Sequence, residues 1–559
     1  MMEFEESKQE RKYKQLREEE EEGAMKALSG DLGIPYVDLT SVSISPDALV
    51  LVPETVAREA NLAVFGKTEK ALDIALHSPT KPEVQKVLED LAAKGFTSSL
   101  FIASTKSLTF AWDRYKDFGY ATESKHGMLD ISSEDIEKFV AEVHDVETVK
   151  KHFDESLSLK KAYRTSRIAE ILVAGALATH SSDIHIEPEE ANVRLRMRLD
   201  GVLTDVTFFD HETYRLLLSR IKLLSGLKLN VQQEAQDGRF SIRMGKVDIE
   251  IRTSILPGQY GESIVMRVLN PDTIAASIEV LGMRPELLEV VNREIAKPNG
   301  LILNTGPTGS GKTTTLYAFL RKVHTPEIKI LTIEDPIEYH LAGVVQTQVD
   351  PGKDYTFSSG LRAALRQDPD VIMVGEIRDN ETAEIAIHAA LTGHLVFSTL
   401  HTNSAAGAFT RLIDLGINPR ILGSAINVAL AQRLVRKLCA HCKKEVVIDP
   451  TIKTQIDAVL ATVTKQEKIA SVQREKMWVA GDGCPECGGM GYKGRMGLFE
   501  AVFMDAKIED VIEMSPSERE IKKVAAEQGF FTMAQDGIIK ILEGETSFDE
   551  VIRVIDITD

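Results

Sequence analysis

Cysteine is scarce in this chain of 559 residues: there are four, and all fall in two Cys-x-x-Cys pairs, Cys439/Cys442 and Cys484/Cys487. So few thiols exclude a disulfide-stapled secreted scaffold, and in a cytosolic chain paired knuckles read as metal before disulfide. Long apolar runs are missing too. A membrane-crossing helix needs about 20 apolar residues, and Ile171 to Ala178, among the longest runs here, falls far short. The charged segment Met1 to Glu22 has no apolar stretch of the kind an export signal requires, so the expected location is the cytoplasm, with no direct membrane span. Positive charge is in deficit: 66 Lys and Arg against 85 Asp and Glu give a net charge of -19. Binding to nucleic acid rests on clustered basic side chains, so no nucleic-acid partner is expected, although a local basic pocket for a nucleotide is compatible with this balance.

What is present divides into segments. Residues 1–30 form a charged arm whose acidic run, Glu18 to Glu22, reads as a solvated helix. From Gly33 to about Phe118, apolar runs such as Ile34-Pro-Tyr-Val-Asp-Leu and Leu62-Ala-Val-Phe alternate with the helical spacing of Lys81 to Leu91. This predicts a small α/β domain over 31–120, without a catalytic constellation. A polar linker with some helix follows over 121–160. A helix over Arg164 to Ala178, the alternating strand Val193-Arg-Leu-Arg-Met-Arg-Leu with its Asp-Gly turn, and a helix over Thr213 to Leu224 predict a second α/β domain over 161–278. Arg194, Arg196 and Arg198 on that strand read as solvated. From 279 onward apolar strands alternate with helices as in a parallel sheet, and the last segment, 506–559, is helical in pattern.

Gly306-Pro-Thr-Gly-Ser-Gly-Lys312-Thr313 fits the phosphate-loop pattern at every position. A short buried strand, Gly300-Leu-Ile-Leu-Asn, precedes it and a helix beginning at Thr314 follows. Gly306, Gly309 and Gly311 let backbone N–H groups of the loop, with Pro307, Thr308 and Ser310 between them, converge on phosphates at the helix N-terminus. Lys312 is placed for the β- and γ-phosphates and the Thr313 hydroxyl for Mg²⁺. Two further apolar strands end in acids. One runs from Ile330 to Glu334, Asp335 and Glu338; the other runs from Asp370 to Glu376 and Asp379. In open α/β sheets ligands bind at the C-terminal ends of the strands, so both groups are expected to face the phosphate loop. His394 and His401 bracket a third apolar strand, where neutral imidazoles can sense a phosphate or link it to a neighbour. The four cysteines supply a closed set of thiolates suited to structural Zn²⁺, with His441 an unneeded fifth donor.

These motifs resemble the secretion ATPase superfamily, in particular the PilB/GspE type of type IV pilus extension and type II secretion ATPases. The resemblance rests on the loop at 306–313, Thr332 to Glu338, Val371 to Glu376, Gly393 to His401, and on Ser182-Asp-Ile-His-Ile-Glu-Pro188 and Gln236-Asp-Gly-Arg239 upstream. It implies an α/β architecture, with a RecA-like ATPase domain over 279–559 preceded by two smaller α/β domains, the second PAS-like. It implies a zinc module over 438–498, a helical C-terminus and assembly into a homo-hexamer. By the same resemblance the cofactors are ATP, Mg²⁺ and Zn²⁺. Glu338 positions or activates the attacking water, Glu376 acts at Mg²⁺ or the γ-phosphate, Glu334 and Asp335 line the nucleotide site, and Arg239 and Arg220 close over it. Pilus-extension and type II secretion ATPases carry a tetracysteine insert that pilus-retraction ATPases generally lack, which points to an extension motor, with type II secretion the alternative. A retraction motor, a nucleotide-regulated scaffold and a DNA-translocating ATPase are disfavoured by the cysteines, by the intact Glu338 and Glu376, and by the charge. The Arg-Leu-Gly opening of the cyclic-di-GMP module of many relatives is absent, so the first domain is expected to dock an inner-membrane platform protein or a cytoplasmic adaptor. The chain would then sit in the cytoplasm, held at the inner membrane through partners.

Overall fold

The computed structural model describes residues 21–42, 44–49, 51–68, 71–115, 139–140, 142–143, 145–158, 161–244, 247–270 and 276–557. Most of the charged arm and more than half of the linker lie outside these. The chain divides into two units, Met1–Arg198 with Leu203–Val268, and Leu199–Val202 with Leu269–Asp559. Among the described residues no helix is long and apolar enough to cross a membrane.

The first unit contains both N-terminal domains, each with its own core. In the first, β1 (Leu62–Lys67) pairs antiparallel with β2 (Ala71–Leu76), which pairs parallel with β3 (Thr97–Ile102). A parallel pair needs a crossover, supplied here by the helix Pro82–Ala93, whose Val84 and Leu91 bury against Leu62, Val64 and Ile74. Trp112, one of two tryptophans, donates from Nε1 to the Leu62 carbonyl at 2.9 Å.

The second domain is a six-stranded sheet in the order β6-β5-β4-β9-β8-β7. Its strands are β4 (Asp183–Pro188), β5 (Val193–Leu199), β6 (Val202–Phe209), β7 (Gln236–Met244), β8 (Val247–Gly258) and β9 (Gly261–Leu269). The helices Lys161–Ala178 and His211–Leu224 share its core through Ile168, Leu172, Leu217 and Ile221. Strand β5 follows the alternation of its sequence: Val193, Leu195, Met197 and Leu199 are buried. The intervening arginines are paired rather than solvated, because β4 sets acids opposite them. Arg196 meets Glu187 at 2.6 Å and Arg198 meets Asp183 at 3.2 Å, while Arg194 reaches Asp205 at 2.8 Å.

The second unit is built on a seven-stranded sheet in the order β12-β11-β13-β14-β10-β15-β18. These are β10 (Gly300–Thr305), β11 (Ile330–Glu334), β12 (Val345–Gln348), β13 (Val371–Val374), β14 (Leu395–Leu400), β15 (Ile426–Leu438) and β18 (Tyr492–Phe503), parallel except that β18 runs against β15. Helices cover both faces, so the central strands read as continuous apolar runs, and all six residues of β10 are buried. Ile302, Met373, Phe397 and Leu430 pack on one face with Leu316 and Phe319 of the helix Lys312–Val323. Leu303, Val374, Val396 and Ala431 pack on the other with Ala386 and Phe409. A two-stranded hairpin, β16 (Lys444–Val447) with β17 (Lys476–Val479), carries the cysteine insert. Four helices between Ala506 and Val554 close the chain, as the helical C-terminal pattern predicts.

Candidate active site

The sheet's register decides where the chemistry gathers. Thr305 at the end of β10 stands level with Leu400, the last residue of β14, on one side and with Ala431, in the middle of β15, on the other, so the loop 306–311 emerges beside the end of β14 with β15 continuing past it. Its glycines are dictated by that crowding. Gly306 has φ 150°, and a Cβ there would lie 2.6 Å from the Gln432 carbonyl and 2.6 Å from Ser310 Oγ; at Gly311, with φ 92°, it would lie 2.8 Å from Gln432 Nε2. Gly311 also leaves the helix Lys312–Val323 without a side-chain cap, so its first N–H groups are open to an anion. Ser310 Oγ is buried with no hydrogen-bond partner among the described residues. Lys312 Nζ donates to the carbonyls of Gly306 at 2.6 Å and Pro307 at 3.0 Å. Burial lowers the pKa of this ammonium; the Glu376 carboxylate opposes that and the Arg433 charge adds to it. Thr313 is exposed in the first turn and Thr314 half-buried beside it.

The two acidic strand ends behave differently. Glu334, the last residue of β11, is 3% exposed and turns inward. It accepts from the Tyr317 hydroxyl, from Thr332 Oγ1 at 2.5 Å and from Gln346 Nε2 at 3.1 Å. Burial first, then the Glu334 charge, drives the Tyr317 hydroxyl pKa far up, so Tyr317 stays protonated and donating. The partners of Glu334 are thus protein groups, while Asp335 beyond it is exposed and Glu338, past a cis Asp335–Pro336 bond, is half-buried.

Glu376, two residues beyond β13, is a different carboxylate. It accepts from Arg378 Nη2 and lies 3.0 Å from His401 Nε2. Burial pushes its pKa up, but the hydrogen bonds and charges of Arg378 and His401 outweigh that and leave it below the ordinary carboxylate range. Arg378 also stands 3.8 Å from Asp335, linking the two acidic strand ends. Of the two histidines, only His401 joins this cluster. His394 precedes β14 at the N-terminal ends of the central strands, where its backbone carbonyl accepts from Gly300 N at 3.1 Å and its Nδ1 lies 3.0 Å from the Ala389 carbonyl. A parallel strand separates the two histidines by its whole length, which bars His394 from the loop at 306–311.

Three residues here have no signature in a linear motif. Gln432 accepts at one oxygen from Asn304 at 2.9 Å and Thr315 at 2.8 Å, tying the phosphate loop at both ends to β15. Arg433 donates to the Asn403 carbonyl at 3.2 Å and side chain at 3.1 Å. Arg378 lies inside a stretch noted for its acids. The available signal is a polar Gln-Arg pair set between the apolar runs Val428–Ala431 and Leu434–Val435 of β15.

Arg220 and Arg239 belong to the first unit. Arg239 is 72% exposed, 3.6 Å from Glu250. Arg220 is half-buried on the helix His211–Leu224, its pKa lowered by burial against the opposing Glu170 charge, and its Nε has no hydrogen-bond partner among the described residues.

The cysteines converge from the end of β15 and a turn before β18. All four ligand atoms lie within 4.8 Å of one another, with Sγ–Sγ separations of 3.7 Å (Cys439–Cys484), 3.8 Å (Cys442–Cys487) and 3.7 Å (Cys484–Cys487). A disulfide needs about 2.0 Å, whereas a tetrahedron of sulfurs about 2.3 Å from Zn²⁺ has edges of about 3.8 Å. Burial and the neighbouring thiols push the Cys442 thiol up to about 12. At Cys487 burial is outweighed by the N–H groups of Cys484 and Gly491, and the thiol falls to about 7. Four thiolates share this space only around a cation, so the donor set fits zinc. His441 is exposed and outside the set.

Residues 159–553 match the family described as Type II/IV secretion system protein, and residues 32–122, the first domain, match the MshEN domain. The chain is 37% identical over 536 residues to the type IV pilus assembly ATPase PilB of Thermus thermophilus, taking in 95% of this chain and 57% of that protein. It thus spans little more than half the length of that relative. It is 40% identical over 435 residues to the type II secretion system protein E of Klebsiella pneumoniae, taking in 78% of this chain and 83% of that protein. Among solved structures, the ATPase DotB of Legionella pneumophila is similar with a TM-score of 0.49 and 23% identity, over 69% of this chain and 94% of that one. The resemblance read from the phosphate loop and its acidic strands is borne out: the chain belongs to the Type II/IV secretion system protein family, among the PilB/GspE-type secretion ATPases.

Proposed function

We propose that the chain is a Mg²⁺-dependent ATP hydrolase that assembles as a homo-hexamer and serves as the extension motor of a type IV pilus. The observation that carries this reading is the meeting of the phosphate loop with Glu376 and His401 at the C-terminal ends of the central strands β10, β13 and β14, close enough for the Glu376 carboxylate to act on the Lys312 ammonium. Backbone N–H groups of 306–313 would hold the phosphate chain, with Lys312 leaving its two carbonyls for the β- and γ-oxygens. Mg²⁺, held through the Thr313 hydroxyl, would neutralise charge on the β- and γ-phosphates. Glu376 is ionised at neutral pH and aimed by Arg378 and His401, which suits a carboxylate acting at the metal or the γ-phosphate. Glu338, on the loop after β11, would position the attacking water. Arg239 and Arg220 would add guanidinium charge when the N-terminal unit closes on a nucleotide, within one subunit or across an interface. Glu334 would act through the protein, holding the start of the Asp335–Glu338 loop, and His394 would keep a structural role.

Zn²⁺ held by Cys439, Cys442, Cys484 and Cys487 would lock the insert in one shape, with no open position for catalysis. The ring would transmit hydrolysis as domain motion to an inner-membrane platform protein, with the first domain docking the platform or a cytoplasmic adaptor, and the chain would work from the cytoplasm. Type II secretion is the second reading, favoured by the 40% identity to a type II secretion system protein E. The test is made in the source cell. Deleting the chain's gene should abolish surface pili seen by electron microscopy, with return on expression of wild type but not Lys312→Ala. Pili intact and an exported enzyme trapped in the periplasm would move type II secretion ahead.

A further inference from the structure

Buried charges in proteins are paired, because removing an ion from water without a partner is costly. This chain follows the rule at two of its most buried cations. Lys222, 2% exposed, lies 2.8 Å from Glu262, and Lys540, also 2% exposed, lies 2.7 Å from Asp536. Arg436, on β15, meets Glu550 at 2.5 Å. Arg433, three residues before it and 9% exposed, breaks the rule. Among the described residues no carboxylate comes within ion-pair distance of it; its guanidinium donates only to the neutral oxygens of Gln432 at 3.0 Å and Asn403 at 3.1 and 3.2 Å. The charge of Glu500 acts on it from farther off, but the two oxygens of Glu500 accept the N–H groups of Ala405 at 2.8 Å and Met533 at 3.1 Å.

The place of this cation identifies the missing partner. Strand β15 passes directly beside the phosphate loop, and a Cβ added to Gly306 would stand 3.2 Å from Arg433 Nη1. Consecutive residues of the strand hold different parts of the site: Gln432 grips Asn304 and Thr315, and Arg433 reaches Asn403. Asn403 follows Thr402, whose carbonyl accepts from Thr305 Oγ1 at 2.8 Å, and Thr402 follows His401, the partner of Glu376. Lys312 likewise donates only to carbonyls. Lys312 and Arg433, neither within ion-pair distance of a carboxylate among the described residues, thus both lie beside Gly306, and the Arg433 charge opposes the Lys312 ammonium.

We infer that Arg433 is a positioning residue of the phosphate site, a cation lodged between Gly306 and Asn403 whose charge is balanced only when a di- or triphosphate chain occupies the loop, and which holds the 402–404 segment, and with it His401, at the working edge. The inference rests on the nucleotide reading above and extends it to a residue outside every phosphate-loop motif. Its charge would not need to touch the nucleotide: field across Gly306 and the grip on Asn403 suffice.

The test compares full-length wild type, Lys312→Ala, Arg433→Met and Arg433→Lys for Mg²⁺-ATP and Mg²⁺-ADP binding by calorimetry, for kcat and KM, and for thermal midpoint without nucleotide. Arg433→Met, which removes an unbalanced buried charge, is expected to unfold no earlier than wild type without nucleotide. It should bind ATP about tenfold or more weakly, with a smaller loss for ADP, whose charge is lower. Arg433→Lys should recover most of the ATP affinity. An unchanged ATP affinity in Arg433→Met, or equal losses for ATP and ADP together with a lower midpoint, would overturn the inference and make Arg433 a packing residue. Should Arg433→Met not fold, Arg433→Lys decides: ATP affinity near wild type supports the inference, and equal losses for both nucleotides overturn it. If wild type binds ATP no better than Lys312→Ala, the nucleotide reading falls and takes the inference with it.

Discussion

The inward turn of Glu334 leads to the prediction most sharply fixed by geometry. Tyr317→Phe would remove one hydroxyl, which donates to Glu334 and also accepts from Gln346 Nε2 at 3.4 Å, and would keep the ring, fully buried and edge-on to Tyr339 at a centroid distance of 4.4 Å. Glu334 would lose one of three donors and retain Thr332 and Gln346. Leaving a buried acceptor short of a donor costs about 1–3 kcal/mol, with charged groups at the upper end. For a unit of nearly three hundred residues (Leu269–Asp559 with a short excursion), each kcal/mol shifts the midpoint by roughly 2 °C, the lower end of the range for large domains. A fall of about 2–6 °C is therefore expected in calorimetric unfolding of the ATPase unit, while kcat measured at a temperature where the variant stays folded should hold within about twofold, since the hydroxyl meets no substrate. A variant as stable as wild type would show that the bond contributes nothing. A collapse of kcat with an unchanged midpoint would place Glu334 in the nucleotide chemistry and refute its structural role.

Three further expectations follow from the same site. Glu376 is held below its ordinary value of 4.5, so its ionised form is fully present above that value and lost only as pH falls through a lower one. The acid limb of the ATPase profile assigned to it should lie below the ordinary carboxylate range and move upward in His401→Ala; a limb unmoved by that change would separate His401 from Glu376. Gly306→Ala, at φ 150° with two atoms 2.6 Å from the added Cβ, should cost about 1–3 kcal/mol and abolish nucleotide binding, whereas the same change at Gly393, equally strained in backbone at φ 108° but with nothing within 4 Å of the added Cβ, should lower stability and leave binding intact. Purified protein should contain about one zinc per chain by elemental analysis. Cys439→Ser with Cys484→Ser should bring it close to zero and lower the melting temperature, and a metal-free wild type of equal stability would argue against a structural ion.

Much of this site was legible because its parts are contiguous. The loop at 306–313 carries its own requirements for glycine, lysine and threonine, and the strands before Glu334 and Glu376 announce themselves as apolar runs ending in acids. The alternation of Val193 to Leu199 gave the strand and its buried face, yet not the pairing of Arg194, Arg196 and Arg198, since Glu187, Asp205 and Asp183 become their neighbours only once β4, β5 and β6 align. Contiguity also misled. Glu334 and Asp335 are adjacent in sequence, but consecutive residues at a strand end point to opposite sides, and one is buried among donors while the other is exposed. His394 and His401 look equivalent as brackets of one strand, and the strand's length is what parts them. Gln432 and Arg433 acquire meaning only through Gly306, more than a hundred positions away in the chain, because β15 lies beside β10.

The central claim, that the phosphate loop and the strand-end carboxylates form a hydrolytic site, is tested most directly by steady-state turnover of Mg²⁺-ATP in wild type, Lys312→Ala, Glu338→Gln and Glu376→Gln, with assembly state followed by light scattering. Slow turnover by a hexameric wild type, lost in all three variants while ATP binding survives in Glu338→Gln, is the predicted result. A wild type that binds ATP yet turns it over no faster than Glu338→Gln would contradict the account and leave a nucleotide-regulated scaffold in its place.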